Sequence, residues 1–109
     1  MKLDSFPFQT INWQDVPCEE HPGETGKAYW QVRHMNEVRI RRVEYTAGYV
    51  ADHWCSKGHV LLCIAGELET ELQDGRRFTL TPGMVYLVGD QCEAHRSATQ
   101  GGCTLFIVD

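Results

Sequence analysis

The sequence lacks most of the features that mark helical, membrane-spanning or nucleic-acid-binding proteins. No window of eleven or more residues keeps the apolar spacing of an amphipathic helix, and no apolar run approaches the roughly 20 residues that cross a bilayer. Ten Lys and Arg stand against 15 Asp and Glu, and this net charge of −5 disfavours binding to nucleic acid or anionic lipid. A glycine-rich phosphate loop and a Ser-His-Asp order are also missing, so nucleotide binding and serine hydrolysis have no support.

The five cysteines do not form a recognisable pair. Their number is odd and no CxxC spacing occurs, which excludes a zinc ribbon and a thioredoxin-like site. The N-terminus has no apolar segment of signal-peptide length, so we expect a cytoplasmic protein with reduced thiols. Cys63 and Cys103 lie in apolar runs, where a free cysteine is typically a core residue.

Short β-rich runs separated by turn residues are present instead. A chain of 109 residues and 12.4 kDa can bury one hydrophobic core, so we expect a single domain. Residues 1–27, rich in Pro and Gly, are predicted to form an extended N-terminal arm, and residues 28–109 an antiparallel β-barrel or jelly roll of the all-β class. The predicted strands are 28–34, 38–45, 49–55, 59–64, 67–72, 76–80, 84–88, 95–97 and 103–108.

Four side chains with metal-binding ability occur at spacings that favour convergence. His53 and Cys55 are two residues apart, so in a strand both project from one face. His59 begins the next predicted strand after a Ser-Lys-Gly turn, and His95 arrives from a separate strand. Imidazole and thiolate are ligands for zinc, iron, copper or nickel. The alternative is that these are ordinary core or surface polar residues, held by hydrogen bonds.

The stretch from Gly48 to His59, followed by Gly66, resembles the first cupin motif, which reads Gly, a His-x-His pair, a Glu and a closing Gly. His53 matches the first His of that pair, while Cys55 stands where the second His would be and His59 where the Glu would be. The run Thr-Pro-Gly-Met-Val-Tyr-Leu-Val that leads to His95 resembles the second motif. More narrowly, the run Asp-His-Trp-Cys at 52–55 is similar to the small bacterial "DHCW motif" cupins.

The resemblance implies a metal site formed by His53, Cys55, His59 and His95. Two of the four usual ligands are replaced, so the reactions of ordinary cupins do not carry over. The softer donor set favours zinc, with iron or nickel as alternatives, over magnesium or calcium. Four closed protein ligands would make the site structural, whereas a position left to water would make it catalytic in type.

Two functions stay open at this point. One is a metal-dependent enzyme acting on a small molecule inside the barrel, and the other is a non-catalytic binding or sensing module whose metal is structural or absent. The family resemblance also implies a homodimer. We expect Tyr45, Tyr49 and Tyr86 to line the pocket. We expect the basic residues of the strand 38–45 to pair with Glu67, Glu69 and Glu71 or with a partner subunit; they are Arg39, Arg41 and Arg42. Arg96 beside His95 leaves an anionic ligand open as the alternative.

Overall fold

The computed structural model describes Leu3 and residues 5–109. Within these residues the chain forms one short 3-10 helix and nine strands. The elements are η1 (Trp13–Asp15), β1 (Cys18–Pro22), β2 (Lys27–Met35), β3 (Val38–Tyr45), β4 (His59–Gly66), β5 (Leu68–Leu72), β6 (Arg77–Leu80), β7 (Val85–Val88), β8 (His95–Ala98) and β9 (Cys103–Val108).

The strands form two antiparallel sheets. The larger has six strands in the order β1-β2-β3-β9-β4-β7, and the smaller has three in the order β6-β5-β8. The central strands of the larger sheet come from distant parts of the chain, since β9 pairs with both β3 and β4. The predicted all-β, antiparallel barrel or jelly roll is confirmed.

Alternation along the strands builds the core between the two sheets. In β9 the inward positions Cys103, Leu105 and Ile107 are buried, as the pattern of a half-buried strand requires. They pack against inward side chains of β3, β4, β5 and β6 in one cluster. The cluster contains Val43, Leu61, Cys63, Leu68, Leu80, Cys103, Leu105 and Ile107. The expectation that Cys63 and Cys103 are core residues is therefore confirmed, and burial raises the pKa of the Cys103 thiol to about 11.

The segment predicted as a strand at 49–55 forms only isolated bridges. Val50 pairs with Thr25 and Ala98, and Cys55 pairs with His95, while the residues between them bend away. Asp52 and His53 are exposed there, so no neighbouring strand holds this stretch in a continuous ladder. The period-2 rule that would place His53 and Cys55 on one face therefore does not apply.

The N-terminal segment has more regular structure than expected. Residues 18–22 form β1, which pairs along its whole length with β2. Before β1, apolar side chains of the arm lie against the outer face of the larger sheet and border a cavity of about 470 Å³. Trp13 meets Phe106 of β9 edge-on, with ring centroids 6.5 Å apart. The division of the chain at residue 27 stays a prediction.

Gly66 closes the first motif for a steric reason. Its φ of +73° lies in the left-handed region that favours glycine. A Cβ atom at this position would stand 2.1 Å from the carbonyl oxygen of Gly102. Only glycine lets β4 end this close to the start of β9.

The part of the chain that the structure describes contains no helix long and apolar enough to cross a membrane.

The core predicts a clear contrast between two leucines. Leu105→Ala should lower the free energy of unfolding by about 2–5 kcal/mol, because it leaves a cavity at a fully buried position. The matched change Leu3→Ala, at a position 73% exposed, should alter it by less than about 0.5 kcal/mol. Urea denaturation of both variants measures the two values, and similar losses would contradict the assignment of Leu105 to the core.

Candidate metal centre

Cys55, His59 and His95 form a compact cluster between the two sheets. One potential ligand atom from each lies within 4.8 Å of the other two, and both histidines are buried. His59 is the first residue of β4 in the larger sheet, and His95 is the first residue of β8 in the smaller one. His59 shares the inward face with Leu61 and Cys63, as the alternation predicts.

Cys55 reaches the cluster through a direct backbone pair with His95. The amide N–H of Cys55 donates to the His95 carbonyl at 2.8 Å, and the His95 N–H donates to the Cys55 carbonyl at 3.0 Å. Residues in such an antiparallel pair project their side chains from the same face. One isolated bridge thus replaces the continuous strand expected at this position.

His53 does not join the cluster. Its side chain is 70% exposed, and its Nδ1 lies 2.6 Å from a carboxylate oxygen of Asp52, which accepts the hydrogen bond. The imidazole lies at the rim of the cavity that Cys55, His59 and His95 also line. His53 stands apart from the other three residues because residues 52 and 53 form a bend outside the strand pairing. Its role as a metal ligand stays a prediction.

A buried carboxylate stands behind His59. Asp109 follows β9, and its side chain is fully buried. It accepts two hydrogen bonds from Arg39 (2.8 and 3.0 Å) and one from Arg41 (2.9 Å), and it lies 3.2 Å from His59 Nδ1. Burial alone would raise the pKa of Asp109. Hydrogen bonds from His59 and Arg39, with the charges of Arg41 and Arg39, outweigh burial and hold that pKa well below its usual range.

The Nδ1 atoms of His59 and His95 both face hydrogen-bond acceptors. The ionised Asp109 can only accept, so His59 carries its proton on Nδ1, and His95 Nδ1 likewise donates to the backbone carbonyl of Glu93 at 3.0 Å. The two Nε2 atoms face each other at 2.8 Å. In neutral imidazoles both Nε2 atoms would present lone pairs, and that contact would be repulsive. A proton on one of the two Nε2 atoms would turn the contact into a hydrogen bond, and a metal ion bound by both atoms would also remove the conflict.

Cys55 adds a third donor to the same space. A hydrogen bond to His95 lowers the pKa of the Cys55 thiol, and the same bond raises the pKa of His95. Thiolate and imidazolium therefore stabilise each other when a single proton occupies the cluster. A divalent ion can replace that proton and satisfy one sulfur and two nitrogen donors together. The residues fit a soft or borderline transition metal, and the carboxylate behind His59 is a usual support for a metal-binding imidazole.

Asp109, Arg39 and Arg41 were missed as site residues. The arginines of β3 were expected to pair with the glutamates at 67, 69 and 71 or with a partner subunit. Arg39 and Arg41 instead pair with Asp109, and Arg42 lies 2.7 Å from Glu44. The alternation itself carries the missing signal. Asp109 continues the inward positions of β9, and Arg41 stands two residues before the buried Val43.

Solved structures share this arrangement of strands. An RmlC-like cupin from Shewanella frigidimarina matches with a TM-score of 0.73 and 20% identity, over 94% of this chain and 89% of its own. A predicted oxalate decarboxylase from Thermotoga maritima matches at 0.76 and 13% identity, over 92% and 96%. Fe(II)-HppE, solved with the alternative substrate (S)-1-HPP, matches at 0.76 and 13% identity, over 99% of this chain and 62% of its own.

The chain has a cupin fold. Identities this low carry the fold and nothing more specific. No family model matches the sequence, and no curated protein matches it. The narrower resemblance to the DHCW-motif cupins is therefore still a prediction from residues 52–55.

The carboxylate behind His59 predicts a large effect on stability. Asp109→Asn keeps the side-chain shape but leaves Arg41 buried without its counter-charge. We expect the free energy of unfolding at neutral pH to fall by roughly 3–5 kcal/mol. Because folding lowers the pKa of Asp109, its contribution is complete above the unfolded carboxyl pKa of about 4 and is lost as the pH falls below it. The difference in free energy of unfolding between the wild type and Asp109→Asn should therefore become smaller in acid.

Urea denaturation between pH 3 and pH 7 measures this difference. Asp52→Asn is the matched control, since that carboxylate is exposed and, among the residues that the structure describes, forms its ion pair with the exposed His53. Its unfolding midpoint at neutral pH should equal that of the wild type. An Asp109→Asn variant as stable as Asp52→Asn would contradict the proposed role of the buried carboxylate.

Proposed function

We propose that this chain is a small metal-binding cupin-fold protein that holds a divalent transition metal through Cys55, His59 and His95 and binds a small molecule beside it. One observation carries the proposal. The Nε2 atoms of two buried histidines face each other at 2.8 Å while their Nδ1 atoms are held by acceptors. Such a contact needs a positive charge between the rings, which either one proton or a metal ion supplies. The neighbouring thiol provides the third donor and the negative charge that favour a divalent ion over the proton.

Zinc is the metal that this donor set favours. Imidazole nitrogen and thiolate sulfur together are typical zinc ligands, and they bind magnesium or calcium poorly. Iron and nickel are the alternatives, and a cupin-fold neighbour with Fe(II) supports including iron in any test. The ion would supply Lewis acidity, while Asp109 and the Glu93 carbonyl would orient the imidazoles that hold it.

Three protein donors are fewer than a closed structural zinc site uses. Catalytic zinc sites commonly have three protein ligands and keep one position for water or substrate. A cavity of about 260 Å³ adjoins the cluster and is lined by Tyr45, Tyr49 and Tyr86. These features favour chemistry on a small molecule. The competing function, a binding or sensing module without catalysis, predicts the same ligand pocket but no turnover.

Four further statements belong to the same proposal. His53 would be a rim residue that becomes a ligand only if the stretch 52–54 moved inward. A homodimer is supported by the exposed apolar side chains of Val85 and Leu87 on the edge strand β7. The free cysteines agree with a cytoplasmic location. Membership of the DHCW-motif cupins rests on the run Asp-His-Trp-Cys.

Cobalt titration tests the proposed ligand set. Metal-free wild-type protein should bind Co(II) with a sulfur-to-metal charge-transfer band, because Cys55 supplies a thiolate. Cys55→Ser should lose that band, and His59→Ala and His95→Ala should each lose more affinity than the roughly 10–100-fold expected for a supporting residue. His53→Ala is the matched histidine control and should bind as the wild type does. Equal and negligible metal content in the wild type and all three ligand variants would overturn the proposal.

Metal affinity should also depend on pH with a defined sign. The pKa of His95 is raised above its usual value by Cys55, so protons compete for His95 at higher pH than for an ordinary histidine. Affinity for zinc should therefore already decline as the pH falls toward 6.5, by about tenfold per pH unit for each proton displaced. Competition with a chromophoric chelator between pH 6 and pH 8 measures the slope. A flat profile would contradict binding through His95.

A further inference from the structure

Three arginines line the cavity beside the cluster of Cys55, His59 and His95. Arg39 and Arg41 project from the inward face of β3, and Arg96 follows His95 in β8. All three border the cavity of about 260 Å³ that also contains Cys55 and His59. The sequence led us to expect that Arg39 and Arg41 pair with glutamates around β5 or with a partner subunit, but both pair with Asp109.

The positive charge in this cavity exceeds the negative charge. Arg39 and Arg41 share a single carboxylate, Asp109. Arg96 lies 3.2 Å from Glu71, which also contacts Arg77 at 3.1 Å. The low-dielectric walls of a cavity strengthen the field of such an excess and raise the local concentration of anions.

Arg41 also has unused hydrogen-bonding capacity. It is 5% exposed, and its cation lies over Trp30, with Cζ 4.6 Å from the ring centroid. Within the described residues its guanidinium makes one hydrogen bond, from Nη2 to Asp109, while its buried Nε has no partner. Buried N–H groups are nearly always paired, so an unpaired one beside a cavity calls for an acceptor.

We propose that this cavity binds a small organic carboxylate, with Arg41 as its principal anchor and the metal cluster beside it. The substrate class named here rests on the proposed function, because it fills the same pocket. The Nε–Nη edge of a guanidinium matches a planar carboxylate through two parallel hydrogen bonds. A polyphosphate would demand more free positive charge than one partly used arginine pair and Arg96 offer.

The size and walls of the cavity narrow the ligand further. About 260 Å³ corresponds to roughly nine water molecules at liquid density, or to an acid of roughly ten non-hydrogen atoms. The rings of Tyr45 and Tyr49 stack 4.1 Å apart at one wall, and Tyr86 lies 5.9 Å from the ring of His59 at another. Apolar walls with an arginine edge suit a monocarboxylate with a flat hydrocarbon body.

Benzoate is the probe that tests this inference. The protein is labelled with ¹⁵N-arginine, stripped of metal with a chelator, freed of that chelator and kept in a chloride buffer. Benzoate binding is then followed by the NMR signals of the arginine Nε–H groups. We expect the assigned Arg41 Nε–H signal to shift and saturate with benzoate. The neutral isostere benzamide and inorganic phosphate should each bind at least tenfold more weakly.

Arg41→Lys supplies the matched variant, because it keeps the charge beside Asp109 but loses the guanidinium edge. It should weaken benzoate binding at least tenfold. Arg42→Lys, on the same strand and paired with Glu44, should bind as the wild type does. If Arg41→Lys does not fold, the wild-type Arg41 Nε–H signal still decides the question. An unmoved signal, equal binding of benzamide, or tighter binding of phosphate would overturn the inference.

Repeating the titration with zinc separates the two proposals. Benzoate binding without any zinc binding would leave the carboxylate pocket standing and overturn the metal centre. Zinc binding without benzoate binding in either state would overturn the pocket alone. Benzoate binding that requires zinc and leaves the Arg41 Nε–H signal unmoved would assign the contact to the metal and overturn Arg41 as the anchor.

Discussion

The contacts of one buried carboxylate organise the site. Asp109 is removed from water, which is costly for a charge unless other groups replace its hydration. Arg39, Arg41 and His59 do so, with contacts between 2.8 and 3.2 Å. Because the carboxylate stays ionised, it fixes which nitrogen of His59 carries the proton and holds two arginines against the cavity wall. The orientation of His59 in the Cys55–His59–His95 cluster and the charge of the neighbouring cavity therefore share one origin.

The position of this carboxylate follows from sheet topology. Strand β9 lies between β3 and β4, so a residue at the end of β9 is next to the start of each neighbour. The backbone of Arg39 exchanges hydrogen bonds with that of Asp109, which keeps the two side chains on one face. A shift of one residue in this register would turn Asp109 to the face of the sheet opposite to Arg39 and Arg41.

A second constraint joins the two sheets. The isolated pair between Cys55 and His95 brings a thiol from a bent segment to the first residue of the smaller sheet. His59 enters from the larger sheet, so the three donors meet only if both sheets are in place. The three donors are therefore close together only in the folded protein. A bound ion would in turn stabilise the packing of one sheet on the other.

Much of the fold could be predicted because alternation and turn residues are local signals. Each such pattern predicts the local structure of the residues that form it. Examples are the alternating Leu and Glu of β5, the Asp-Gly turn before β6 and the Pro-Gly turn before β7. The same local signals predicted a strand at 49–55 that does not form as a continuous ladder, since a strand requires a partner that the sequence of that segment does not specify. The same limit affected residues 18–22, which became β1 only because the edge of β2 accepts another strand.

The sequence by itself determined the all-β architecture, the buried positions of Cys63 and Cys103, and the inward face shared by His59 and Leu61. These properties depend on periodicity along one strand. Only the tertiary structure decided that His53 lies at the rim, that Cys55 opposes His95, and that Asp109 is the partner of Arg41. Each of these depends on contacts between residues 40 to 68 positions apart or on a local bend. Such contacts are fixed by how sheets pair and pack, which no single segment encodes.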